Sequence, residues 1–200
     1  MKCRGTESRQ RIVDNYTIKP VAHVKLLNNQ QKLSCTNITL TNSYYCFDYT
    51  SRTDPSDKGT FYCGDHAANE FLEMAGLDPL PLFNPLVSSG TGGGGGNGET
   101  STTKWDPLAK ELNTAINMLV VCWDVVPGGP LADIQANLRE YYYSTPFPSK
   151  VKAVNTIIGN DGRTLQEMID ALRGTNNIRK FQFKLINKVL ESESVESNFG

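Results

Sequence analysis

The sequence predicts a small α+β module, held by a zinc ion, followed by an all-α helical domain. Three observations carry that expectation. Four soft-metal ligands, Cys35, Cys46, Cys63 and His66, fall within one short stretch. A run of glycine, serine and threonine interrupts the chain at 89–103. Beyond that run, apolar residues recur at helical spacing almost to the end.

These features divide the chain into a module at 1–88, a flexible glycine-rich linker at 89–103 and a helical bundle at 104–200 with a disordered acidic tail. Five consecutive glycines resemble a phosphate-binding loop only in composition, because no Gly-Lys-Ser/Thr follows them. The linker predicts that the two halves fold independently.

Residues 1–34 carry seven basic side chains against Glu7 and Asp14. We read this stretch as a solvated terminus, with a basic arm for phosphate contacts as its functional counterpart. Residues 17–27 alternate loosely and predict a strand. Pro20 confines that strand to a sheet edge or a strand start. His23 falls inside it as an ordinary strand histidine.

Residues 31–40 and 43–50 predict two strands around the turn formers Thr41, Asn42 and Ser43. A hairpin of these two would bring Cys35 towards Cys46. Residues 51–59 are turn chemistry throughout. A helix at 67–75 follows, with Asp65 as its N-cap, Ala68, Phe71, Leu72 and Ala75 on one face, and Gly76 at its end.

The spacing of the four ligands is C-x10-C-x16-C-x2-H. Structural zinc takes four thiolate or imidazole ligands in a tetrahedron. Gly64 permits the sharp turn that would let Cys63 and His66 grip one ion. The strand, turn and helix in this order are similar to treble-clef zinc modules, without their first C-x2-C knuckle. Zinc bound by all four residues would be closed and structural. Cys3 and His23 are further ligand types within reach of the same module.

The segment 77–87 holds Pro79, Pro81 and Pro85, which exclude helix and predict an extended stretch on the module's surface. Asp106 and Pro107 then form an N-cap and first helical residue. Gly128 and Gly129 end that first helical unit, and Pro130 opens the next. Ser144–Pro148 is a break, and a short helix is expected at 149–158. Thr164 and Glu167 form a capping box. The last helix, at 178–190, carries Arg179, Lys180, Lys184 and Lys188, of which the three lysines share one face at a spacing of four. Cys122 belongs to the helical core.

The formal net charge of −1 brings no global attraction to nucleic acid or membrane. No apolar run approaches the ~20 residues that span a bilayer. Without an apolar leader, the N-terminus argues for the cytoplasm. H-E-x-x-H, G-x-S-x-G and the zinc-deaminase signature are all absent from the sequence. The first functional expectation is therefore a non-enzymatic, zinc-binding interaction protein with a protein or nucleic-acid partner. Two alternatives come from other classes. One is a small enzyme with a reactive zinc or a reactive Cys63. The other is a nucleic-acid binder using the basic arm and the Lys180, Lys184, Lys188 and Arg179 set.

Overall fold

The computed structural model describes residues 1–87, 104–126 and 128–200. The predicted linker at 89–103 lies outside the described residues. The chain forms two compact units, Met1–Asn84 and Pro85–Gly200, the first mixed α+β and the second mainly helical among its described residues. No helix among the described residues is long and apolar enough to cross a membrane.

The first unit opens with α1 (Thr6–Asn15) and β1 (Tyr16–Lys25). A two-stranded ribbon, β2 (Lys32–Leu33) and β3 (Thr39–Leu40), is followed by β4 (Ser43–Ser51), β5 (Lys58–Cys63) and α2 (Asp65–Ala75). The main sheet is antiparallel in the order β1-β4-β5. Two expectations are corrected here. Residues 6–15 are a helix that buries Arg9, Ile12 and Val13 rather than a solvated arm. Residues 31–40 fold back on themselves as β2 and β3, so they do not pair with 43–51.

β1 lies at the sheet edge, as Pro20 requires, and a bulge falls between Pro20 and Ala22. The bulge changes which residues of β1 face the helices. Before it, Ile18 lies opposite Tyr49; after it, His23 lies opposite Tyr45. Period-2 alternation would otherwise have turned His23 to the other face.

One face of the sheet packs against α1 and α2. Phe47 and Phe71 are fully buried, and Phe47, Phe61 and Phe71 meet with ring centroids 5.2–5.7 Å apart. Aromatic contacts of this geometry add to the burial of apolar area. Gly76 ends α2 in the left-handed conformation, at φ 63°. Its N-cap is Gly64; Asp65 sits inside the first turn and does not cap it.

The second unit contains α3 (Pro107–Trp123), α4 (Gly129–Glu140), α5 (Pro148–Gly159), α6 (Leu165–Arg173) and α7 (Lys184–Ser192). α3 is buried all round from Ala115 to Val121 and packs on α4, α6 and α7. Asp106 accepts from the amides of Leu108 and Ala109, and Thr164 and Glu167 complete a capping box on α6.

The last ten residues are not a disordered tail. Phe199 is fully buried, its ring tilted against Phe183, and the carbonyls of Asn198 and Phe199 accept from the first amides of α6. One buried aromatic and these backbone bonds outweigh the acidic composition of the segment.

Candidate functional site

The structure does not bring the four predicted zinc ligands together. Cys35 is joined to Cys3 in a disulfide, with Cα atoms 5.2 Å apart. The amide of Cys3 also donates to the carbonyl of Cys35 at 3.0 Å. In the sheet, Tyr45 lies opposite Cys63 and Cys46 lies opposite Tyr62. Adjacent residues of a strand point to opposite faces, so Cys46 and Cys63 face away from each other. Cys63 joins the core under the helices, in one cluster with Cys3 and Cys35. His66 is 89 % exposed and pairs with Glu70 at 3.2 Å. Among the described residues, no three His, Cys, Asp or Glu side chains stand close enough to hold a metal ion. A disulfide and sheet alternation keep the four residues apart in this structure.

Burial also makes the free thiols poor nucleophiles. It pushes Cys63 and Cys122 up to about 12, and Cys46 higher still. A reactive Cys63 has no such support from its surroundings.

Both histidines of the chain meet the start of α2. His23 lies 2.9 Å through Nδ1 from the Leu80 carbonyl and 3.4 Å through Nε2 from Asp65. It stacks on Tyr45 at 3.8 Å, and the Tyr45 hydroxyl donates to the same Leu80 carbonyl. Burial holds the His23 pKa below the ordinary value, against the upward pull of Leu80 and Asp65. The Ser43 hydroxyl donates to Asp65 at 3.4 Å. Here the carboxylate stands between serine and histidine, so the imidazole is not placed to take the serine proton. Nearby, Arg9 grips Glu70 through two nitrogens, each at 2.9 Å, and holds the Glu70 carboxyl below its usual range. An open cavity of about 400 Å³ adjoins this turn, walled by Ile38, Leu40 and Ala67. Arg4, Arg9, Asp65 and His66 also line it, and of these Arg9 is engaged by Glu70.

The predicted basic stripe is also rearranged. α7 begins at Lys184, so Lys180 precedes the helix and shares no helical face with Lys184 and Lys188. Arg179 packs its guanidinium 4.9 Å from the Phe181 ring centroid.

A different surface exposes aromatic side chains. Between α4 and α5 lies a cleft of about 320 Å³, with Leu138, Tyr141, Pro146 and Phe147 as apolar walls. Asn137, Ser144, Thr145 and Lys150 supply its polar groups. At and beside it, Tyr141, Tyr143 and Phe147 are 44 %, 64 % and 72 % exposed. The turn is fixed from behind. Tyr142 packs against Trp105 at 5.8 Å, its carbonyl accepts from the Asp106 amide, and the Thr145 hydroxyl donates to Asp106 at 2.7 Å. Phe147 precedes Pro148, which opens α5. A rigid turn thus presents aromatic side chains to solvent that its own unit does not bury. In the sequence this site had one signal, three tyrosines running into Ser144-Thr145-Pro146-Phe147-Pro148. It read as a helix end and a break.

Fold and cleft together define a two-unit chain, a helix-covered sheet followed by a unit with five helices among its described residues and an aromatic cleft. The chain belongs to the family described as uncharacterised conserved protein UCP028583, whose sequence model matches residues 1–197. That match spans both units. Neither a curated protein nor a solved structure matches the chain.

Proposed function

We propose that this protein is a non-enzymatic interaction protein that docks a protein partner in the cleft between α4 and α5. One observation carries the reading: the exposed aromatics Tyr141 and Phe147 line a mostly apolar cleft that holds a cation and an amide, with exposed Tyr143 in the same turn. Tyrosine and other aromatics dominate the binding energy of protein interfaces, because they bury a large area at little cost in rotamer entropy. The cation, Lys150, favours an acidic element on the partner. A protein partner fits better than nucleic acid, since Lys180 falls outside α7 and Arg179 is engaged with Phe181. The Cys3–Cys35 disulfide favours work in an oxidising compartment over the cytoplasm.

A fragment screen read by amide resonances of the whole chain tests the reading. Organic fragments should concentrate their shifts on residues 137–150, and Phe147→Ala should remove most of those hits. Fragments that scatter over the surface, or collect only elsewhere, would contradict a docking role for this cleft.

A further inference from the structure

We propose that the cleft captures the C-terminal residue of the partner chain, an aromatic or large aliphatic side chain together with its free α-carboxylate. The inference rests on the docking reading above and specifies what is docked.

The polar lining is centred on one cation, Lys150. A lysine ammonium has three N–H donors and no acceptor. Lys150 spends one on the amide oxygen of Asn137, and its nitrogen stands 6.0 Å from the Phe147 ring centroid. Because lysine only donates, the oxygen of Asn137 must be the atom that meets it. The amide NH2 of Asn137 is then left to donate. Ser144 adds an exposed hydroxyl. The carboxylates bonded to residues of this lining are each engaged, Glu140 by the Tyr141 hydroxyl and Asp106 by the Thr145 hydroxyl. No carboxylate pairs with Lys150 among the described residues. An ammonium with two N–H groups beyond its bond to Asn137 and no carboxylate partner calls for an anion. One ammonium matches the single charge of a carboxylate, whereas phosphate recognition draws on clustered arginines.

Size sets the second half of the argument. The cleft, at about 320 Å³, lies near the lower end of ligand pockets, which begin at about 300 Å³. Ring and charge must therefore enter within one residue's span. A C-terminal residue meets that condition, since its α-carboxylate and its side chain leave the same Cα. An internal aspartate or glutamate would carry chain on both sides. Leu138, Tyr141 and Phe147 then take the side chain while Lys150 and Asn137 take the carboxylate.

The test is a titration of the whole chain, read by the amide resonances of residues 137–150. The probes are an N-acetylated tetrapeptide ending in phenylalanine as the free acid, the same peptide as its C-terminal amide, and an amidated peptide carrying an internal aspartate before the phenylalanine. The free acid should bind at least ~10-fold more tightly than either amidated peptide, as expected for a charge-assisted hydrogen bond. Lys150→Gln should abolish the preference for the acid over its amide. Should that variant fail to fold, the acid-to-amide ratio on the unmodified protein decides by itself. Equal binding of acid and amide, or of the internal aspartate, would overturn the proposal. So would three silent peptides at a cleft that still collects neutral fragments, an outcome that leaves the docking reading standing. Silence of peptides and fragments alike would remove both.

Discussion

The two units keep their shape by different means. In the first, a three-stranded sheet is covered on one face by two helices, and a disulfide ties Cys3 to Cys35 beside the same core. Its reactive side chains are consumed in that work: Cys3 and Cys35 in the bond, Cys63 in the core, Arg9 on Glu70. In the second, aliphatic side chains around α3 and capped helix ends suffice. Several of its large polar and aromatic side chains are left at the surface, and they collect between α4 and α5. The contrast teaches that a concentration of chemically capable residues marks a function only when the fold leaves them unspent.

The contrast can be broken most strongly in the aromatic core. Phe71→Ala removes a fully buried ring that meets Phe47 and Phe61. It should destabilise the first unit by about 3–5 kcal/mol in urea unfolding. A loss below ~1 kcal/mol would show that the aromatic stack is not what holds the sheet to α2.

Next in size is the disulfide. Its partners are 32 residues apart in sequence. Closing a loop of that length stabilises by about 3–4 kcal/mol through the unfolded chain. Cys3→Ser should lower the first unit's urea midpoint accordingly and leave the fragment shifts of residues 137–150 in place. Equal destabilisation of both units would refute the separation of roles.

Smaller still is the cap of α6. Thr164→Ala removes one hydroxyl acceptor of the capping box and should cost about 1 kcal/mol, now in the second unit alone. At the low end, Phe147→Ala should change stability by less than about 0.5 kcal/mol, as exposed positions do. A large thermal shift in that variant would mean that Phe147 supports the fold and is not held ready for a partner.

The helical unit was the more legible in the sequence, for reasons that are local. Asp106-Pro107, the Thr164–Glu167 box and apolar residues at a spacing of three and four act within a few residues of one another. Helix starts and stops can therefore be read without knowing the tertiary fold. The sheet unit depends on pairing between distant residues. That Cys35 meets Cys3 follows from where the β2–β3 ribbon lies, which no spacing rule contains. That Cys46 and Cys63 face apart follows from the β4–β5 register. That His23 faces Tyr45 depends on a bulge one residue wide. α1 was missed because its polar surface masks a short buried face of Arg9, Ile12 and Val13. The final segment misled in the opposite direction, since a single Phe199 decides its fate against an acidic background. The cleft escaped notice because the three tyrosines continue the helical pattern of α4 up to the turn that exposes them.

The four cysteines of the first unit form one disulfide and two buried thiols. Alkylation with mass detection tests it directly, on chain purified without reductant and then unfolded in denaturant with a chelator. Three labels should be added before reduction, at Cys46, Cys63 and Cys122, and five after it. Five labels before reduction, with Cys3 and Cys35 among them, would contradict the claim and return those thiols to the pool of free ligands.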